Sequence, residues 1–196
     1  MRRINLIRHG KTDDNHELRY SGSIESRLIW TDEVIKEIIL PKLSVEEMGL
    51  IYSSPRQRVI ETAKPFVNNV DDIIIEENIR EINFGLYEGL TYDEIHKQYP
   101  HEVPKWMEQK NNYVFPEGDS LEIFFQRVVQ GFNNIVERSD QDKNITIFTH
   151  GGVIQCLITY LLSGSLDLFW NFKVDNCSLT QLYFDEEAVV FERINY

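Results

Sequence analysis

Two histidines in this chain each follow a short apolar run and precede glycine: Leu6-Ile7-Arg8-His9-Gly10 and Phe148-Thr149-His150-Gly151-Gly152. A third apolar run, Leu50-Ile51-Tyr52-Ser53, passes through Ser54-Pro55 to Arg58. A neutral imidazole offers a nucleophilic nitrogen, and a guanidinium fork matches two oxygens of a phosphate. Glycine lets the backbone approach a ligand closely, and a helix N-terminus presents free N–H groups to an anion. Taken singly, each segment also fits an ordinary role: a charged turn, a satisfied core histidine, an exposed helical arginine. Together, two imidazoles, Arg8, Arg58 and a helix N-terminus suit a phosphoryl group, and Arg80-Glu81-Ile82 adds a carboxylate. His9, His150 and Glu81 are also ligand types of catalytic zinc. Two adjacent arginines would repel Zn²⁺ and no His-x₃-His pair accompanies them, so neither a metal nor another cofactor is expected.

These residues meet only if particular elements position them. Strands are predicted over 3–8, 50–53, 73–76 and 145–149, with a terminal hairpin of 179–184 and 189–193 turning at Asp185-Glu186. Helices are predicted over 31–40, 54–67 (capped by Ser54), 91–98, 120–138 and 152–162. Alternating strands and helices imply an α/β fold, a three-layer α/β/α sandwich around a largely parallel central sheet. Ligands of such sheets bind beyond the carboxyl ends of the strands, where His9 and His150 would both stand. The stretch from about 83 to 118 is aromatic and broken by Pro and Gly; it reads as an irregular cover over one sheet edge within a single domain spanning 1–196.

Composition narrows the field. The chain has 196 residues, 42% of them hydrophobic, enough for a core without staples. With 20 basic and 32 acidic residues the net charge is −12, which argues against nucleic acid and anionic membrane surfaces as partners. A few cations focused on one pocket still suffice for a small anion. Cys156 and Cys177 sit in apolar segments and read as reduced core residues. No signal peptide or membrane span is read, so a cytoplasmic location is expected.

The segments LIRHGKT, SSPRQRVIETA, REINFGLYEGL and FTHGGVI, in this order, resemble the histidine phosphatase superfamily, which includes phosphoglycerate mutase-like enzymes. The resemblance implies that His9 is the nucleophile that becomes phosphohistidine and that Arg8 and Arg58 clamp the phosphate. It also implies that His150 hydrogen-bonds the phosphoryl oxygens and that Glu81 protonates the leaving oxygen and later activates water. Asn15, in Thr12-x-x-Asn15, matches a phosphate-contacting amide, and Gly151 a backbone donor. Arg56 lies in the same block, but the family spacing selects Arg58.

The short segment after Glu81 and the Pro116-Glu117-Gly118-Asp119-Ser120 block, closed by Arg127-Val128, resemble the phosphatases of the family more than its mutases. The implied substrate is a small phosphorylated metabolite; a mutase-type phosphoryl transfer and a non-catalytic phospho-ligand binder are the alternatives. Arg19-Tyr20-Ser21-Gly22 resembles a segment of α-ribazole phosphatases, so α-ribazole phosphate or a phosphosugar is a candidate substrate. Tyr20, Ser21, Gly22, Tyr87 and Trp106 are the expected substrate contacts. A homodimer remains open. Many relatives carry Gly and Gln in the helix that follows the first loop; the matching stretch, Leu28 to Lys36, has neither.

Overall fold

The computed structural model describes residues 2–140, 143–185 and 188–196; Glu186 and Glu187, expected at the hairpin turn, lie outside them. In chain order the elements are β1 (Arg2–Arg8), α1 (Asp13–Glu17), α2 (Asp32–Ile39), α3 (Val45–Met48), β2 (Leu50–Ser53), α4 (Gln57–Ala63), β3 (Ile74–Ile75), α5 (Tyr92–Gln98), α6 (Glu102–Gln109), α7 (Leu121–Arg138), β4 (Ile145–Thr149), α8 (Gly151–Ser163), β5 (Leu179–Phe184) and β6 (Val189–Arg193). One sheet runs in the order β3-β2-β4-β1-β5-β6. Its first four strands are mutually parallel, and β5 and β6 complete it antiparallel. The expected α/β architecture is therefore present. No helix among the described residues is long and apolar enough to cross a membrane.

Alternation along the strands builds the two cores. Ile4, Leu6, Ile145 and Ile147 face α7 and α8, whereas Ile7 and Phe148 face α2 and α4. Leu28 and Ile35 of the divergent stretch lie directly behind Gly10, where a Cβ would come within 2.9 Å of Leu28 Cδ1. Thus an apolar contact from the divergent stretch supports the first loop. Cys156 and Cys177 are free and buried, as expected.

Several expected elements change. The helix predicted from Ser54 starts at Gln57; the Ser54 hydroxyl lies 2.8 Å from His150 Nε2 and accepts only a long bond, 3.5 Å, from Arg56 N. The strand predicted over 73–76 shrinks to Ile74–Ile75, both exposed at the sheet edge. The cover is more regular than expected. It contains α6, which the sequence reading missed; Pro104 falls in its first turn, where a missing N–H costs nothing. Short α1 was also missed, although Thr12 and Asn15 cap it reciprocally.

Across the centre of the sheet runs a buried polar ladder. Gln181 Nε2 donates to Asn5 Oδ1 (2.8 Å), Asn5 Nδ2 donates to Thr146 Oγ1 (3.1 Å), and Thr146 Oγ1 donates to the Met48 carbonyl (2.8 Å). Asn5→Ala would leave the Gln181 donor buried and unpaired, at a cost of about 2–3 kcal/mol. Urea unfolding should show the midpoint falling with an unchanged m-value; a loss below about 0.5 kcal/mol would mean that the ladder contributes nothing net.

Candidate active site

Register creates the site. In the β1–β4 pair Arg8 stands opposite Thr149, so His9 and His150 emerge side by side one residue beyond. The His9 N–H donates to the Thr149 carbonyl (2.9 Å), and the two imidazole rings meet edge-on with centroids 5.3 Å apart. On the other side of β4, Ser53 stands opposite Phe148, which delivers Ser54 to the same edge. Three of the sequence-predicted segments are thereby brought together.

His9 is buried, with Nδ1 at 2.7 Å from the Gly10 carbonyl oxygen. A carbonyl only accepts, so Nδ1 carries the proton and Nε2 keeps its lone pair. Burial, then the charges of Arg8 and Arg58, hold the His9 pKa well below the usual histidine value. His150 is buried too, and its Nε2 lies 2.8 Å from Ser54 Oγ while Nδ1 faces Arg58 at 3.4 Å. Burial, Arg58, His9 and Arg8 likewise depress its pKa.

The arginines are held by backbone carbonyls. Arg8 donates to the Val174 carbonyl (2.6 Å), while its buried Nε has no hydrogen-bond partner among the described residues. Arg58 donates to the carbonyls of Ile24 and Gly22, each at 2.8 Å. In this state Arg58 pins the loop at 21–24 as well as charging the site. Glu81 reaches the same edge. Its Oε2 accepts from Gly152 N (3.0 Å) and its Oε1 from Ile82 N (3.1 Å). These bonds favour the carboxylate, but burial outweighs them and raises its pKa. A Cβ at 152 would lie 2.5 Å from Glu81 Oε1, so a larger residue there would push the carboxyl group aside.

Asn15 Oδ1 accepts from Thr12 N (3.3 Å) and Asn176 Nδ2 (3.0 Å). Both partners are donors, which fixes the amide with its NH₂ group on the opposite side. Asn176 Nδ2 also donates to the carbonyls of His9 (3.0 Å) and Gly10 (3.3 Å). Sequence reading missed Asn176; its only signal was its place just before β5, the neighbour of β1.

A cavity of about 640 Å³ opens over this edge, lined by Arg8, Asn15, Glu81 and Gly151, with Tyr20 and Ser21 on its wall. His9, Arg58 and His150, all buried, are not among its described lining residues. The opposite wall, from Trp170 to Asp175, and Arg19 and Gln155 were not anticipated. Three expected substrate contacts, Gly22, Tyr87 and Trp106, are not among the described residues that line this cavity. Gly22 lies behind the wall, its Cα so close to Ile82 that a Cβ would meet the Ile82 carbonyl oxygen at 1.7 Å. Tyr87 is fully buried in the cover, with its hydroxyl 2.7 Å from that of Tyr113. Trp106 lines a narrower side cleft instead of the main cavity.

Comparison with known proteins agrees with this geometry. The model of the histidine phosphatase superfamily (branch 1) matches residues 4–196. Phosphoserine phosphatase 1 of Hydrogenobacter thermophilus is 28% identical over 196 residues, covering 100% of this chain and 92% of that one. The α-ribazole phosphatase of Shigella flexneri superposes with a TM-score of 0.85 at 24% identity, over 99% of this chain and 96% of that one. A mycobacterial glucosyl-3-phosphoglycerate phosphatase superposes with a TM-score of 0.83 at 24% identity, over 100% and 98%.

The depressed histidines make stability depend on pH. Below the unfolded value of 6.5, the unfolded chain binds protons that folded His9 and His150 refuse. Each then removes up to about 1.4 kcal/mol of stability per pH unit. Glu81 acts oppositely: its folded pKa is raised, so as pH falls toward 4.5 the folded state takes up its proton first and regains up to one such increment. The net expectation is a loss from pH 6.5 to 4.5. Denaturant midpoints should fall across that window, and by less in His9→Ala; a flat or rising profile would contradict the buried neutral pair.

Proposed function

The chain belongs to the histidine phosphatase superfamily, branch 1, and on that premise we propose that it hydrolyses a small phosphomonoester without a metal ion, through a phosphohistidine on His9. One observation carries this reading. The Gly10 carbonyl holds the proton of His9 on Nδ1, so the buried ring can attack only through Nε2.

The depressed pKa supports an unprotonated ring ready to react. Nε2 attacks phosphorus, the new N–P bond forms as the P–O bond to the leaving group breaks, and positive charge develops on the imidazole. The Gly10 carbonyl stabilises that charge through Nδ1–H. In the same reading the free Nε of Arg8, the Gly151 N–H and the Asn15 amide hold the phosphoryl oxygens from the cavity floor, and Arg58 and His150 hold them as well. Glu81, whose pKa burial raises, gives a proton to the leaving oxygen. Its carboxylate then takes a proton from water as the water oxygen attacks phosphorus and the N–P bond breaks. Inorganic phosphate leaves, with His9 neutral and Glu81 protonated again.

The small cavity supports a metabolite-sized substrate rather than a macromolecule. Hydrolysis of p-nitrophenyl phosphate should persist in EDTA and fall at least about 10³-fold in His9→Ala; equal rates would end the proposal. Rapid-quench labelling with ³²P should trap an acid-labile, base-stable adduct in the wild type alone.

Glu81 should impose a second signature. Activity needs His9 neutral and Glu81 protonated, so kcat/KM falls on the alkaline side, through a pKa raised above 4.5, and on the acid side through one below 6.5. Glu81→Gln cannot deliver a proton. Its loss should be about 10²–10⁴-fold for alkyl esters and smaller for p-nitrophenyl phosphate, whose leaving group needs little protonation. A uniform loss across leaving groups would remove Glu81 from the acid role.

A further inference from the structure

Beside the cavity floor a second, narrower cleft of about 170 Å³ is walled by Tyr20, Phe84, Trp106, Phe115, Leu121 and Phe169. It shares Tyr20, Phe84 and Glu81 with the main cavity, so the two join at the carboxyl group. Its walls are preformed. Tyr20 meets Phe84 and Trp106 edge-on at 5.2 and 5.4 Å between centroids, and Phe115 meets Phe84 and Trp106 at 5.1 and 5.3 Å. On its outer side the Trp170 indole N–H donates to Asn111 Oδ1 (2.8 Å), and Asn111 Nδ2 donates to the Leu166 carbonyl (3.2 Å). That pair ties the cover to the segment after α8 and fixes Trp170 as a wall. Among the described lining residues only Glu81, at the junction, and Lys110 carry charge.

We propose that this cleft receives the leaving group, and that the preferred substrates are phosphomonoesters of alcohols bearing one compact apolar group the size of a single six-membered ring. The proposal rests on the phosphatase reading above. Its geometric basis is the place of Glu81. The group that protonates the leaving oxygen must stand beside it, so the rest of the alcohol departs on the Glu81 side, where the cleft begins. Size sets the limit: an apolar cavity of about 150 Å³ holds one benzene molecule, and this one is only slightly larger. Polarity sets the class. A zwitterionic leaving group such as serine would set its ammonium and carboxylate mostly against ring edges and hydrocarbon, with Lys110 the only cation among the described lining residues.

The test compares esters matched in leaving-group chemistry: ethyl phosphate, 2-phenylethyl phosphate and 2-(1-naphthyl)ethyl phosphate. Wild-type kcat/KM should favour the phenyl ester over the ethyl ester at least about tenfold, mainly through KM, and the naphthyl ester should lose most of that gain. Leu121→Trp, which fills the cleft, should bring the phenyl-to-ethyl ratio to within about threefold of one. Trp170→Ala, at an exposed position, should open the outer wall and raise the naphthyl-to-phenyl ratio. Because each readout is a ratio within one protein, a general loss of activity does not imitate it, and the wild-type panel decides even where a variant fails to fold. A wild-type phenyl-to-ethyl ratio near one, or a naphthyl preference, overturns the cleft while leaving phosphohistidine chemistry standing. No turnover of any ester, with no trapped adduct, overturns both.

Discussion

The parallel pairing of β1 with β4 is the constraint on which the site depends. Side chains alternate along a strand, so a slip of one residue would turn one histidine away from its neighbour. The register is held on both faces at once. Ile4 and Leu6 answer one core, Ile7 the other, and Asn5 reaches Thr146 across the pair. A slipped register would bury Asn5 against apolar side chains and strand its amide. The polar ladder in the middle of the sheet therefore helps to specify the geometry at its edge.

Burial of the imidazoles beside two guanidinium groups creates a second demand. Charged groups removed from water need other dipoles. Here backbone carbonyls supply them: Gly22 and Ile24 for Arg58, Val174 for Arg8. These carbonyls belong to the two loops that flank the cavity. The loops are thus folded around the arginines, and the walls of the cavity follow from the solvation of its charge. The imidazoles receive less: the Gly10 carbonyl partly offsets the shift of His9, and burial still dominates the downward shift of both rings.

Much of this was legible in the sequence where the signal was local. His9 and His150 could be placed at strand ends because an apolar run and a glycine bracket each one. Glu81 could be placed near them, but its bond to Gly152 could not, since it depends on how a loop returns to a helix N-terminus 71 residues on. Ser54 misled for a similar reason. Locally it is a good helix cap; in the fold a buried imidazole 96 residues away takes its hydroxyl. Tyr87 and Trp106 looked alike as cover aromatics, and only packing separates the one that is sealed from the one that borders the cleft. Asn176 carried no signal beyond its place just before β5, because its three partners are all carbonyl or amide oxygens of the first loop and α1.

A net charge of −12 sets the terms on which such a site takes an anion. Long-range repulsion acts on every phosphorylated molecule alike and is screened within about 8 Å at physiological salt. It therefore lowers encounter without discriminating among them. Attraction arises inside, from buried Arg58 and half-buried Arg8, and every monoester presents them with the same phosphoryl group. In the proposed reaction neither field tells one substrate from another. Discrimination is left to the surface that meets the alcohol, and that surface, beyond Glu81, is largely aromatic hydrocarbon of fixed shape.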